Sequence, residues 1–169
     1  TGSPNYQFTE ETTWQIPFFE THTSPSLADF DCDGDLDLFM TLCDGEWLCQ
    51  MYINSKNGFE FYPISNVRIH KAWDSAIADF DCDGDYDLAV GGSELYIMQN
   101  QKNPPIWIGI TLNSSYCNWQ GIGSRIVYDG KVMQVRTATA GKGVGSQHSP
   151  QILVYPSSTK DLTTVTVRW

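Results

Sequence analysis

Ten aspartates stand in two short blocks, Asp29, Asp31, Asp33, Asp35 and Asp37, then Asp79, Asp81, Asp83, Asp85 and Asp87. Each block reads D-x-D-x-D-G-x-x-D. So many carboxylates on one tight turn repel one another unless a cation neutralises them. The chemistry that fits is a hard divalent ion, which takes about six to eight oxygens at about 2.3–2.6 Å. Carboxylates at the first, third and fifth positions of such a loop point inward together, and glycine at the sixth allows the sharp turn. Side-chain ligation is therefore assigned to Asp29, Asp31, Asp33 and Asp37, with Asp35 lending its backbone carbonyl and turning its side chain outward. The second loop uses Asp79, Asp81, Asp83 and Asp87 with the carbonyl of Asp85. The cofactor expected is calcium, one ion per loop and two in all; magnesium is disfavoured because it keeps its waters.

Other readings of the same residues fail on spacing. An EF-hand needs a glutamate at the twelfth position, where this chain has Met40 and Val90. A catalytic carboxylate pair faces across a cleft, whereas these are bunched on one turn. His22, His70 and His148 are far apart, and no serine or cysteine stands beside one in a nucleophile motif. The glycine-rich run from Gly141 to Gly145 lacks the Gly-Lys-Ser/Thr ending of a phosphate loop. No CxxC spacing suggests zinc. An enzyme is not expected.

The loops belong to a repeat. Leu27 to Leu38 recurs as Ile77 to Leu88, an offset of 50 residues. A short apolar strand follows each loop, Leu38 to Met40 and Leu88 to Val90. A turn comes next, Asp44-Gly45 or Gly91-Gly92. Further strands run Gln50 to Asn54 and Leu95 to Asn100, and Phe59 to Tyr62 closes the first copy. Four short strands in about 40–50 residues is one propeller blade. No stretch has helical periodicity. Asn103-Pro104-Pro105 marks a boundary. Beyond it, strands are expected over Ile106 to Leu112, Arg125 to Tyr128, Lys131 to Arg136, Ile152 to Tyr155 and Thr163 to Trp169. The fold class is all-β: residues 1–103 as two blades with calcium loops, and 104–169 as a small β-sandwich or barrel-like domain.

Composition sets the surroundings. The 169-residue chain carries a formal net charge of −10, and ten of its 20 acidic residues lie in the two loops. Such a chain is no partner for nucleic acid or an anionic membrane surface. No apolar run reaches the roughly 18 residues of a membrane span. The chain begins at Thr1 without a methionine, which suits a processed form or a piece of something longer. Of five cysteines, Cys43 and Cys49 flank a turn and are the disulfide candidate, the alternative being two free thiols. Cys32, Cys82 and Cys117 have no evident pairing. Asn113-Ser114-Ser115 is a glycosylation candidate. Trp47 and Trp119 sit in expected loops and could meet a glycan.

The loops, with Ala28-Asp29-Phe30-Asp31 and Ala78-Asp79-Phe80-Asp81 at their heads, resemble the FG-GAP or VCBS repeat of integrin-type β-propellers. Gln50 to Asn54 and Asn57-Gly58-Phe59 look like that repeat's third strand and the turn into its fourth. The part from Trp107 onward, with Gly121-Ile122-Gly123-Ser124-Arg125-Ile126, Gly143 to Gln147 and Val165 to Trp169, resembles the ASPIC/UnbV domain that follows such repeats in cartilage acidic protein and in secreted bacterial proteins. The usual propeller closes with about seven blades, and this chain has two such loops. The Phe-Gly-Leu-Gly segment of the family is replaced by Leu153-Val154-Tyr155-Pro156. The resemblance implies an extracellular location and an adhesive or structural role. Two blades leave a β edge open, so self-assembly through open edges is expected, with Tyr6 to Thr9 as a strand able to pair with a neighbour.

Overall fold

The computed structural model describes residues 9, 22–43, 49–64, 69, 71–113, 115, 120–129, 134–137, 148–156, 158, 160 and 164–168. The turn at 44–47, the segment at 1–8, Cys117, Trp119 and the run 141–147 therefore lie outside the described residues. All described elements are strands. Among the described residues no helix is long and apolar enough to cross a membrane.

The first sheet is an antiparallel meander of four strands in the order β1 (His22–Ala28), β2 (Asp37–Leu42), β3 (Gln50–Ser55) and β4 (Gly58–Tyr62). The second has three, β5 (Asp74–Ala78), β6 (Asp87–Gly91) and β7 (Leu95–Met98). The aspartate blocks are the hairpin loops β1–β2 and β5–β6. Ala28 pairs with Asp37, and Ala78 with Asp87, so each block's last aspartate is the first residue of the returning strand. β1 and β5 were not foreseen. β1 is rich in serine and threonine and contains Pro25, which is tolerated because the strand lies at the sheet's edge.

The two sheets stack with unlike faces together. Phe39, Cys49 and Met51 of the first meet Ile77, Leu88 and Val90 of the second in one buried core. Leu88 and Val90 correspond to Leu38 and Met40 across the repeat, which lie on the other face of β2. The mate of Phe39's face is therefore the opposite face of the next sheet. At the seam the inner strands touch through hydroxyls: Ser26 Oγ to Ser75 Oγ at 2.9 Å, and Thr23 Oγ1 donating to the Ala72 carbonyl at 3.0 Å. The second sheet's own outward face is bare, with Leu95 71% and Ile97 67% exposed.

A separate, smaller core lies C-terminal. β8 (Ile108–Ile110) pairs with β11 (Ile152–Val154), and β9 (Arg125–Asp129) lies between β10 (Gln134–Thr137) and β12 (Thr164–Arg168). Ile126, Ile152 and Val154 form its buried centre. It is fastened to the second sheet. Ile77 of β5 donates its N–H to His148 Nδ1 and accepts from the Ser149 N–H, and the Tyr86 hydroxyl accepts from the Leu153 N–H at 2.9 Å. His148 is thus an edge cap on β5.

Candidate metal centres

Both loops are wound by the same internal bonds, and their shape follows from them. In the first, Asp29 Oδ1 accepts the Asp33 N–H at 3.0 Å and Asp29 Oδ2 the Gly34 N–H at 2.9 Å. In the second, Asp79 accepts from Asp83 at 3.2 Å and from Gly84 at 3.1 Å. The last aspartate clamps the loop's start: Asp37 Oδ2 accepts the Phe30 N–H at 2.7 Å, and Asp87 Oδ2 the Phe80 N–H at 2.8 Å. Each winding needs left-handed backbone twice, at Cys32 (φ 63°) and Gly34 (φ 105°), and at Cys82 (φ 63°) and Gly84 (φ 97°). Gly84 is required for a second reason. The Trp107 indole lies where a Cβ on residue 84 would stand.

This winding gathers three carboxylates in each loop. Oxygens of Asp29, Asp31 and Asp37 lie within 4.8 Å of one another, as do those of Asp79, Asp81 and Asp87. These clusters can hold a metal ion. Asp29 and Asp37 are fully buried. Asp31 Oδ1 is buried without a hydrogen-bond partner, an acceptor left for something other than protein. The donor set is all oxygen, which suits a hard cation. The nearby Cys32 thiol is no competitor. Burial, helped by the nearby Asp29 and Asp85 carboxylates and opposed by a hydrogen bond with Tyr155, pushes its pKa up to about 12, so it stays protonated.

Asp33 and Asp83 are not drawn into these trios. Each folds back on its own turn, accepting the N–H two residues on, Asp35 at 2.9 Å and Asp85 at 3.2 Å. Asp35 faces solvent as expected. Asp85, its counterpart, does not: it is fully buried, accepts the Asn103 N–H at 2.9 Å through Oδ2, and leaves Oδ1 unpartnered. Burial raises the pKa of Asp31, Asp37, Asp85 and Asp87. For Asp37 the value is about 6, although N–H groups of Asn54 and Phe30 pull it down.

Sequence reasoning placed the next strand of each repeat, Gln50 to Asn54 and Leu95 to Asn100, but overlooked that its end holds the loop. Asp37 Oδ1 accepts the Asn54 N–H at 2.8 Å, and Asp87 Oδ1 the Asn100 N–H at 2.8 Å. The signal was available: Asn54-Ser-Lys-Asn57 recurs as Asn100-Gln-Lys-Asn103 at an offset of 46 rather than 50, because the second hairpin turn is four residues shorter.

The remaining candidates stand apart from the loops. Cys43 and Cys49 are free thiols, not a disulfide. The β2–β3 ladder ends at the Met40–Gln50 pair, and Cys43 and Cys49 both lie beyond it. Cys49 is buried in the main core, with its thiol directed at the Ile69 carbonyl. Asn113 is exposed, as a glycosylation acceptor must be. No protein-family model and no curated protein matches the chain.

Proposed function

We propose that the chain is a calcium-binding, extracellular structural or adhesive module that catalyses no reaction and works as part of a larger assembly such as a fibre. The observation that carries this is the paired trio, Asp29–Asp31–Asp37 and Asp79–Asp81–Asp87, wound by the same hydrogen bonds in both loops. Calcium acts here as a folding clamp. It joins the loop's head to the first residue of the returning strand and cancels repulsion that the empty loop suffers. The two sheets then read as blades of the FG-GAP/VCBS type, and the C-terminal strands as the domain of ASPIC/UnbV type.

The test is thermal. At calcium 100-fold above its Kd, each site adds about 2.7 kcal/mol to folding stability. The melting temperature of the chain therefore rises in calcium and falls on adding EGTA. A melting temperature indifferent to EGTA sinks the reading.

A second reading has its own support. The bare face of β7 carries Leu95 and Ile97, which correspond to Cys49 and Met51 of the first sheet, both buried against the next sheet. A further sheet of the same kind fits there, which favours a portion of a closed propeller over a fibre subunit. Light scattering of the 169-residue chain separates them. Growing particles support the fibre, and a discrete small species supports the closed ring's portion.

A further inference from the structure

We propose that Asn100 is a positioning residue shared by both cation loops, so that filling one loop raises the affinity of the other; this rests on the calcium reading given above. The segment after β7 touches both loops at once. The Asn100 backbone N–H holds Asp87 Oδ1 at 2.8 Å, in the second loop. Its side-chain Nδ2 donates to the Phe30 carbonyl at 2.8 Å, in the first loop, and to the Tyr86 carbonyl at 3.3 Å. Gln99 donates through its side chain to Asp81 Oδ2, and the Asn103 N–H to Asp85 Oδ2. Asn54, the counterpart of Asn100, holds Asp37 by its backbone N–H but, among the described residues, makes no side-chain bond to the other loop. The bridge runs from the second repeat only.

The sign of the coupling follows from what each ion must order. The first loop places the Phe30 carbonyl immediately before its ligand Asp31. A cation there fixes that carbonyl, which fixes the Asn100 amide and, through the same residue's N–H, the Asp87 carboxylate. The ordering entropy of Asn100 is then spent once for two ions. Two effects oppose this and are smaller. Lys102 lies near Asp31 and is displaced in part by an ion, but it is exposed, and its attraction is screened. Repulsion between the ions is damped because each loaded loop keeps net negative charge, and salt screens over about 8 Å at physiological strength.

The experiment is calcium titration calorimetry of the full 169-residue chain at physiological ionic strength. Wild type is expected to take two ions with a Hill coefficient above 1, the second binding about fivefold tighter than independent sites allow. Asn100→Ala is expected to keep both sites and lose the cooperativity, and Asn54→Ala to keep both sites and the cooperativity. Reciprocity gives a second measurement if Asn100→Ala fails to fold. Asp79→Asn, which empties the second loop, weakens the first about fivefold, and Asp29→Asn does the same in reverse. Two independent sites in wild type overturn the coupling while leaving calcium binding intact. No calcium uptake at millimolar concentration overturns both. Cooperativity that survives in Asn100→Ala overturns the role of Asn100.

Discussion

Asp37 shows how much one side chain is asked to do. Its two oxygens accept N–H groups from Phe30 and Asn54, it belongs to the first carboxylate trio, and it is fully buried. Burial raises its pKa to about 6. An aspartate raised above its unfolded value of about 3.9 holds its proton longer in the fold than out of it. Its contribution to the calcium-free protein is therefore fully present below about pH 4 and is lost as pH rises through about 6. Calcium reverses the dependence, because only the ionised carboxylate binds. Comparing wild type with Asp37→Asn isolates this group. In EGTA the stability difference should shift against wild type between about pH 4 and pH 6. Calcium affinity of wild type should weaken as pH falls below about 6. An affinity flat from pH 7 to pH 5 contradicts the assignment. At this scale the sequence was legible because the loops are local. Within the loop, Asp29, Asp31 and Asp37 converge through bonds that span no more than seven residues. Asp33, expected as a ligand, accepts the Asp35 N–H through Oδ1 and stands outside the carboxylate trio. The buried carboxylate of Asp85 had no signal in the loop itself, because its partner is the Asn103 N–H, 18 residues on.

Strands were legible in proportion to their apolar content. β2, β3, β4, β6 and β7 carry it, whereas β1 and β5 bury hydroxyls instead, which a reading built on hydrophobic pattern passes over. Their value lies in the seam between sheets, where Ser26 and Ser75 face each other, both about fully buried. Ser75→Ala leaves the Ser26 hydroxyl buried without that partner and should cost about 1–3 kcal/mol. Ser26→Ala with Ser75→Ala removes both polar groups and should cost less than the sum of the single changes. Urea denaturation of the three variants measures it. Additive losses would mean that the hydroxyl pair does not couple the sheets. The Cys43–Cys49 expectation failed at this scale too. Proximity to a turn is not register, and here the paired residues end at Met40 and Gln50, short of both cysteines.

Stacking of unlike faces gives the whole molecule a direction. The first sheet's Phe39 face is covered by the second sheet, whereas the corresponding face of the second is left exposed at Leu95 and Ile97. A contact that joins unlike faces can be repeated without closing by itself. Ile97→Glu should therefore weaken association of the chain while leaving its melting temperature nearly unchanged, since the side chain is already 67% exposed. Size-exclusion chromatography with light scattering reads the first outcome and calorimetry the second. Unaltered association would place the contact elsewhere. None of this arrangement could be read from residue spacing, because the face that a strand presents outward depends on which sheet arrives next to it.

Trp107 lies against the second loop at Gly84. The second centre thus carries an optical marker of its own. An indole is sensitive to nearby charge, so an ion entering the second loop should alter the emission of Trp107, while one entering the first leaves it in place. With the other five tryptophans changed to phenylalanine, the protein would carry a built-in lamp over one of its two ions, and the order in which they arrive could be watched without any added probe.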